Sequence, residues 1–457
     1  MAKIFIEEST LSAIGNSIRA KTGKTNMIAP LNMATEIASI QAGSGSGPSS
    51  PVSSNDVTFY DYDGTVIASY SLEEAQSLTT LPDGPTHDGL TFQGWNYTLE
   101  KVKAFTRPMN VGAIYTTNDG KTRLYIHIAD KARSTVPLYI SQTVSNGVTI
   151  DWGDESATET LVGTGTVNMS HAYGAAGDFT ISLTVNDGCT LGFGHGLSSY
   201  SIMGATGTSG RVYCNMLQKV EIGSGVTSIG DYAFSNCRSL SSITIPDGVT
   251  SIGANAFLYC SSLSSITIPD GVTSIESNAF NSCYSLPSIT IPDGVTSIGD
   301  YAFSGCYSLS SIIIPDGVTS IGASAFSSCS SLSSITIPDG LTSIGSRAFQ
   351  QCVSLSSITI PDGVTSIESN AFNSCYSLPS ITIPDGVTSI GASAFSGCYG
   401  VAEYHLKPTT PPTLSNPNAF KNIPSDCIIY VPQGSLEAYK TATNWATYAS
   451  YMQEETT

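Results

Sequence analysis

The sequence predicts a multidomain, mainly β protein whose C-terminal half is a solenoid of stacked turns. The first observation is a 23-residue period in which a phenylalanine is followed three positions later by a cysteine. The pairs are Phe234 and Cys237, Phe257 and Cys260, Phe280 and Cys283, Phe303 and Cys306, Phe326 and Cys329, Phe349 and Cys352, Phe372 and Cys375, and Phe395 and Cys398. The second is that the 34-residue segment beginning at Ile266 recurs letter for letter at Ile358, four periods later. A repeat of this length buries its apolar face only by stacking on its neighbours.

Each unit is predicted to contain a strand, a turn and a corner. Ile266 and Ile268 alternate with Ser265 and Thr267, which is the pattern of a strand with one buried face. The Pro-Asp-Gly sequence at 269–271 then favours a tight turn. Further apolar residues and an Ala-Phe pair bring the chain back to the core at the corner.

These units resemble the BspA-type leucine-rich repeat, which occurs in surface proteins of bacteria and protists and in phage tail proteins. The resemblance covers 223–400 and implies a leucine-rich-repeat solenoid. Residues 189–222 are predicted to form a linker and an N-terminal cap, which includes a divergent repeat unit around Cys214. Residues 401–457 resemble the closing segment of the family, with a last strand and an amphipathic helix. The inward residues of that helix are expected to be Tyr439, Trp445 and Tyr448.

Two small β modules are predicted before the solenoid. Residues 56–118 resemble the internalin B-repeat, apart from the insert SLEEAQSL, which has the composition of a helix. The motifs VTIDWGDES and SHAYGAAGDFTISLTVND place a PKD-like, immunoglobulin-like β-sandwich at 119–188. Both kinds of module are typically stalks. A Gly/Ser/Pro linker at 43–55 precedes them.

Residues 1–42 are predicted to form two short helices. Ser9 or Thr10 can cap the first, and Leu11, Ile14 and Ile18 share one helical face. The segment resembles the N-terminal part of tail-fibre and minor structural proteins from phages of Gram-positive hosts. Helices this short need a partner to be stable, so we expect attachment to other tail or baseplate proteins, with a homotrimer possible by analogy with tail fibres.

The amino-acid composition limits the kinds of partner that the protein can bind. Only 12% of the residues are charged, against about 25% in an average protein, and the net charge is −18. A surface of this sign disfavours nucleic acid. No apolar stretch reaches the roughly 18 residues of a membrane span, and Glu7 and Glu8 interrupt the position of a signal peptide. The sequence therefore favours a virion protein made in the bacterial cytoplasm over an exported cell-surface protein.

The cysteines and the aspartates that recur in every turn could bind a metal ion, but we favour a structural role for both. The cysteines of successive turns point in the same direction and are expected to act as small buried hydrophobes rather than as disulfides or metal ligands. The aspartates of the Pro-Asp-Gly turns could bind calcium, but each already stabilises its own turn. They are Asp247, Asp270, Asp293, Asp316, Asp339, Asp362 and Asp385.

The sequence contains no constellation typical of an enzyme. Asp151 and Asp154 belong to the PKD-like motif and are expected to be structural. The histidines are widely separated, with no nucleophile elbow and no phosphate-binding loop; they are His87, His127, His171, His195 and His405. We therefore expect no catalytic residue, no cofactor and no bound metal.

What remains is recognition of another surface. The core positions of the repeat are nearly constant, whereas three corner positions vary, and tyrosine there offers an amphipathic face suited to a sugar or a protein. Drift at exposed positions explains the variation equally well. The candidate ligand contacts are Tyr232, Arg238, Tyr259, Tyr284, Tyr301, Tyr307, Arg347, Tyr376 and Tyr399. The sequence favours a phage or prophage tail protein that binds a host surface glycan or protein; a BspA-type bacterial adhesin and a purely structural spacer remain open.

Overall fold

The computed structural model describes most of the chain from residue 56 onward. The described residues are 56–61, 65–86, 90–95, 99–103, 109–117, 119–131, 134–194, 200–205 and 211–455. The predicted attachment helices in 1–42 and the linker 43–55 lie outside them. The chain divides into two compact units, Met1–Asp119 and Gly120–Thr457.

The first unit is built around a four-stranded sheet with strand order β2-β1-β4-β3. Its elements are β1 (Asp56–Tyr60), β2 (Val66–Ser71), α1 (Leu72–Ser77), β3 (Leu90–Trp95), α2 (Leu99–Lys103) and β4 (Met109–Thr117). β1 runs antiparallel to β2 and parallel to β4. The helix predicted in the SLEEAQSL insert is confirmed as α1, which begins with a capping box between Ser71 and Glu74. The rings of Phe59 and Trp95 pack edge to face in its core, 4.9 Å apart.

The second unit begins with a β-sandwich. Its strands are β5 (Thr122–Ile128), β6 (Thr135–Gln142), β7 (Val148–Asp151), β8 (Glu159–Thr160), β9 (Gly165–Ala172), β10 (Gly177–Val185) and β11 (Leu191–Phe193). One sheet contains β5, β10, β7 and β8, and the other contains β11, β6 and β9. Alternate residues of β5 and β6 are buried between the sheets, as expected for strands with one face against a core. Trp152 is fully buried there.

Short elements then lead from the sandwich into the first turns of the solenoid. They are β12 (Tyr200–Ser201), β13 (Gly204–Ala205), α3 (Arg211–Cys214), β14 (Leu217–Glu221) and β15 (Val226–Ile229). β14 pairs antiparallel with β5, and β15 pairs parallel with β11. Both sheets of the sandwich therefore continue into the solenoid, which starts on an existing sheet edge.

The solenoid has about ten turns with a period of about 23 residues, as predicted. Each turn contributes two short strands. They are β16 (Ser242–Thr244), β17 (Ser251–Ile252), β18 (Ser265–Ile266), β19 (Ser274–Ile275), β20 (Ser288–Thr290), β21 (Ser297–Ile298), β22 (Ser311–Ile313), β23 (Ser320–Ile321), β24 (Ser334–Thr336), β25 (Ser343–Ile344), β26 (Ser357–Ile358), β27 (Ser366–Ile367), β28 (Ser380–Ile383), β29 (Ser389–Ile390), β30 (Glu403–Leu406) and β31 (Thr413–Leu414). Equivalent strands pair parallel and in register, for example Ser311 with Ser334. Isoleucines therefore stack on isoleucines in the core.

The Ala-Phe corners form a third ladder. The amide of each corner phenylalanine donates to the carbonyl of the next corner alanine, as from Phe303 to Ala325 at 2.8 Å. The phenylalanine rings stack with centroids 5.4–5.7 Å apart from Phe234 to Phe395. Phe193 of the sandwich and Phe420 of the C-terminal region extend this aromatic column at its two ends.

The first-strand ladder is divided into separate sheets at two places, between β18 and β20 and between β26 and β28. In other turns, the residue before the strand donates its amide to the preceding turn, as from Ser333 to Ser310. Pro287 and Pro379 hold that position before β20 and β28, and proline has no amide hydrogen to donate. Each proline therefore removes a ladder bond where the sheet is divided.

The C-terminal end of the solenoid is covered by a cap. It contains β32 (Ile428–Val431), α4 (Leu436–Thr441), a 3₁₀ helix (Trp445–Tyr451) and β33 (Met452–Glu454). The predicted last strand is confirmed as β32, and Tyr439, Trp445 and Tyr448 are buried as expected. The helix is shorter than predicted and gives way to the 3₁₀ turn, and β33 adds a parallel strand beside β32. No helix in the described part of the chain combines the length and apolar character of a membrane span.

Candidate functional site

The corners place the candidate contact residues in columns along the solenoid. The residue before each corner alanine has a positive φ, from 56° to 59°, and so has the residue before each corner cysteine. Glycine and asparagine adopt this conformation most easily, which accounts for their frequent occurrence at these positions. The residue after each cysteine occupies a further column, which we call the corner column: Arg238, Ser261, Tyr284, Tyr307, Ser330, Val353, Tyr376 and Tyr399.

Four tyrosines of the corner column form two stacked pairs. The rings of Tyr284 and Tyr307 have centroids 4.9 Å apart and planes inclined by 12°. The rings of Tyr376 and Tyr399 are 5.5 Å apart and inclined by 29°. These side chains are among the most exposed large hydrophobic residues of the described chain, from 37% for Tyr284 to 58% for Tyr399. We call them the first and the second tyrosine pair.

The remaining candidates are distributed along the solenoid. The guanidinium of Arg238 lies 5.7 Å from the ring centroid of Tyr259, at cation–π distance. Tyr232, Tyr301 and Arg347 all lie in the column before the corner alanine, in three separate turns with positive φ. Tyr301 is 40% exposed. The structure thus brings together six of the nine candidates in three local groups and leaves the other three apart.

The cysteine ladder has a structural role. All eleven cysteines are free and buried, and every one lies within the described residues. From Cys260 to Cys398, each corner thiol donates to the carbonyl of the phenylalanine 26 residues earlier, at 3.1–3.3 Å. Burial raises the pKa of the Cys306 and Cys352 thiols to about 12. Neutral thiols of this kind are poor nucleophiles and poor metal ligands.

The aspartates of the Pro-Asp-Gly turns are exposed at every turn. Within the described residues, no group of three or more His, Cys, Asp or Glu side chains is arranged to hold a metal ion. Each turn is closed by a backbone hydrogen bond, in which the amide of the residue after the glycine donates to the proline carbonyl, as from Val318 to Pro315 at 3.0 Å. The calcium alternative therefore has no cluster to support it in this part of the chain.

The aspartates of the DWGD motif form hydrogen bonds within the sandwich. Asp151 accepts from the Gly153 amide at 2.9 Å, while Asp154 accepts from Ser156 and contacts the ring of His171 at 2.8 Å. The bonds from Ser156 and His171 lower the pKa of Asp154 to about 2. The His171 ring also stacks on Trp152 with centroids 4.9 Å apart. The Asp151 and Asp154 carboxylates thus stabilise the loop that follows β7, and Asp154 also connects this loop to His171.

The structure also contains a cavity that the sequence did not indicate. It has a volume of about 680 Å³ and lies beside the second division of the first-strand ladder. Its lining includes Thr359, Asp362, Asp385 and Lys407. The ammonium of Lys407 lies 2.7 Å from a carboxylate oxygen of Glu455, and this contact, with a smaller contribution from His405, lowers the pKa of Glu455. Pro379 was the available signal in the sequence, since it interrupts the ladder next to the cavity.

Comparison with known proteins agrees with this geometry. The model of the BspA type leucine-rich repeat region matches residues 212–333 and 296–425. Residues 212–425 belong to the BspA-type leucine-rich repeat family. The family therefore accounts for the solenoid and its first and last turns, while the sandwich and the N-terminal unit lie outside the match.

Several solved structures are similar to the chain. A leucine-rich repeat protein from Bacteroides ovatus is 33% identical, over 46% of this chain and 54% of that protein, with a TM-score of 0.40. A leucine-rich repeat protein from T. pallidum is 33% identical, over 35% of this chain and 78% of that one, with a TM-score of 0.34. A leucine-rich cell surface protein from Faecalibacterium prausnitzii is 27% identical, over 49% and 92%, with a TM-score of 0.28. The chain spans about half the length of the B. ovatus protein, and no curated protein matches it.

Proposed function

We propose that the solenoid is a recognition surface that binds a component of a bacterial cell surface without catalysing a reaction. The observation that carries the proposal is the exposure of the two tyrosine pairs on an otherwise serine-rich and threonine-rich solenoid. Exposed aromatic rings gain contact area with little loss of side-chain entropy when they bind. Such residues are typical of the anchors in recognition surfaces.

We further propose that the chain is a phage or prophage tail-associated protein. In this arrangement, residues 1–42 attach it to other tail or baseplate proteins, the internalin B-repeat-like and PKD-like modules act as spacers, and the solenoid meets the host. The support is the resemblance of residues 1–42 to the N-terminal segment of phage tail proteins. A homotrimer is part of the proposal by analogy with tail fibres.

A bacterial cell-surface adhesin is the second candidate. It is favoured by the similarity to the F. prausnitzii protein, which is described as a cell surface protein. The recognition surface would be the same, but the chain would be displayed by the bacterium that makes it.

Immunogold electron microscopy separates the two candidates. An antibody to residues 223–457 is applied to intact cells and to particles released after prophage induction. We expect label at the tips of phage tails. Label on the surface of intact cells, with unlabelled particles, would contradict the tail role and establish the adhesin.

A domain exchange tests recognition against a spacer role. The solenoid is replaced by a BspA-type solenoid with different exposed corner residues, while the rest of the chain is kept. Recognition predicts that the range of bound bacteria changes with the solenoid. An unchanged range would show that the solenoid only separates other parts of the protein.

A further inference from the structure

The two tyrosine pairs occupy the same local sequence. Tyr284 and Tyr376 both lie in the sequence NSCYSLP, and Tyr307 and Tyr399 both end the sequence AFSGCY. The exact repetition that begins at Ile266 and Ile358 therefore reproduces most of one surface four turns further along. Four turns correspond to roughly 20 Å along the solenoid, from the usual spacing of paired strands.

The outward ring faces of the pairs are accessible. Because stacked rings in successive turns have their planes across the solenoid axis, one face of each ring is covered by its partner and the other points along the column. The next residues of the corner column are small beside the first pair, Ser261 on one side and Ser330 on the other. Tyr307 and Tyr376 are 48% and 44% exposed, and only Ser330 and Val353 separate them in the column. The outward faces of these two rings thus border a shallow gap.

The sequence segments that carry the four tyrosines are uncharged. The segments 281–287, 304–310, 373–379 and 396–402 contain no acidic or basic residue. Exposed serines follow three of the four tyrosines, namely Ser285, Ser308 and Ser377. Aromatic faces bordered by hydroxyl groups match the chemistry of sugars, whose C–H faces stack on rings and whose hydroxyls both donate and accept hydrogen bonds. Within these segments a charged polymer would find no opposite charge, and the one charged residue of the corner column, Arg238, lies two turns before Tyr284.

We propose that the two tyrosine pairs are two copies of one binding site for a linear, uncharged polysaccharide that runs along the corner column. A ligand that contacts both copies must itself present the same group at intervals, which a polysaccharide does and a folded protein surface generally does not. This inference rests on the proposed recognition function and specifies its ligand class. Two linked sites raise the affinity for a long chain without any new kind of contact.

The variants that test it follow the natural variation of the repeat. Serine already occupies the corner column at Ser261 and Ser330, so Tyr284→Ser with Tyr307→Ser removes the first pair without an unfamiliar residue, and Tyr376→Ser with Tyr399→Ser removes the second. A deletion of residues 266–357 removes the first pair together with four whole turns. The repeat stays in register, because Ser265 is then followed by Ile358, which begins the same sequence as Ile266. Ile313→Thr is the matched control, because Ile313 is an exposed apolar residue of the same solenoid that lies outside the candidate contacts, and threonine occupies the equivalent positions Thr290 and Thr336.

The measurement uses the full-length protein on bacteria that bind it. Binding is followed before and after treatment of the cells with periodate or with protease, and in competition with the neutral polysaccharide fraction released from their walls. We expect periodate to abolish binding, protease to leave it, and the neutral fraction to compete. Loss of one pair, by substitution or by deletion, should weaken binding of long polysaccharide chains by about tenfold or more, whereas Ile313→Thr should not.

The dependence of binding on the length of the polysaccharide distinguishes a binding role of the tyrosines from a merely structural one. For fragments too short to span the roughly 20 Å between the pairs, loss of one pair should reduce binding only about twofold, because the sites then act independently. Binding that protease removes, or that is unchanged when both pairs are lost, would overturn the polysaccharide inference and leave surface recognition standing. A chain that binds none of the bacteria tested would contradict the proposed recognition function itself.

Discussion

Individual residues of each solenoid turn adopt a backbone conformation that most side chains avoid. The residue before each corner cysteine has a φ between 59° and 72° in most turns, and Gly305 and Gly397 occupy two of these positions. Elsewhere the column holds residues with a β-carbon, such as Gln351 at φ 59°. The left-handed conformation costs such residues roughly 1–2 kcal/mol, so the fold tolerates strain that glycine would relieve.

Gln351→Gly is therefore expected to stabilise the solenoid. The strain relieved exceeds the entropy that glycine loses on folding, and the free energy of unfolding should rise by up to about 1 kcal/mol. The substitution also removes a hydrogen bond from Ser328 to the Gln351 side chain, but this contact is exposed. Urea denaturation measures the change. Gln350→Gly is the control, because the neighbouring position lacks the positive φ and should lose about 0.5–1 kcal/mol; equal effects at both positions would contradict this explanation.

The buried thiols predict a loss of stability in alkaline solution. Burial raises the pKa of Cys306 and Cys352 from an ordinary value of 9.0 to about 12. A group whose pKa is raised on folding contributes stability that is complete below the unfolded value and is lost as the pH rises, because the unfolded thiol releases its proton first. Denaturation midpoints should therefore be stable below pH 9 and fall between pH 9 and 12.

The control for the thiols is Cys306→Ala. This variant lacks one titrating thiol, so its midpoint should fall less steeply than that of the unmodified protein over the same pH interval. Identical slopes would show that other groups, such as the buried tyrosines, account for the alkaline transition.

At the scale of elements, the ladders explain why the solenoid is regular and where it is interrupted. Three sets of backbone bonds connect successive turns: the first strands, the second strands and the Ala-Phe corners. The corner bonds are continuous from Phe234 to Ala419, whereas the second-strand ladder is divided between β17 and β19 and between β23 and β25. The interruptions of the first-strand ladder coincide with Pro287 and Pro379. One residue per interruption thus changes the pairing of an entire strand while the phenylalanine column continues unbroken beside it.

Pro287→Ser is expected to rejoin β18 and β20. The substitution supplies an amide that can donate to the carbonyl of Ser264, as the equivalent serines do in other turns. The hydrogen bond contributes about 0.5–1.5 kcal/mol, but loss of proline costs about 0.4–1 kcal/mol through the unfolded chain. Overall stability should therefore change by less than about 1 kcal/mol, whereas the new amide at position 287 should be protected and exchange slowly.

The matched control is Pro292→Ser in the turn after β20. Pro292 uses only its carbonyl, which accepts from the Val295 amide, so the substitution offers no ladder bond and should lower stability. Rapid exchange at position 287 in the first variant would show that the ladder is interrupted for another reason.

The sequence predicted the elements that repeat and missed those that depart from the period. The spacing of Phe280, Phe303 and their equivalents predicted the corners, because each turn places one phenylalanine in the same environment. The further corner at Ala419 and Phe420 lies 25 residues after its predecessor, outside the 23-residue spacing. The stacking of Tyr284 on Tyr307 was not predicted as a pair, since column membership alone does not determine how two exposed rings are oriented.

At the scale of the whole described unit, the sandwich is the N-terminal end of the solenoid. β14 pairs with β5, and β15 pairs with β11, so each first strand of the solenoid has a neighbour. The sequence indicated a linker between them because residues 188–211 are rich in glycine and serine. Pairing between strands as distant as Arg123 and Glu221 depends on the folded shape of both parts and leaves no local pattern.

Removal of residues 1–194 is therefore expected to destabilise the solenoid. The truncated chain would expose the edges of β14 and β15, and uncovered strand edges promote association between chains. Size-exclusion chromatography should show oligomers or aggregate, in contrast to a chain that lacks only residues 1–119. A soluble, monodisperse fragment of unchanged stability would show that the shared sheets are not needed as a cap.

The central claim is that the tyrosine pairs are the recognition surface of the solenoid. The most direct test is flow cytometry of fluorescently labelled full-length protein on a panel of bacteria. It compares the unmodified chain, the variant with Tyr284, Tyr307, Tyr376 and Tyr399 all replaced by serine, and the control Ile313→Thr. The account predicts bound fluorescence on some bacteria for the unmodified chain and for Ile313→Thr, and its loss in the fourfold variant with the circular dichroism spectrum unchanged. Binding by the fourfold variant equal to that of the unmodified chain would contradict the account.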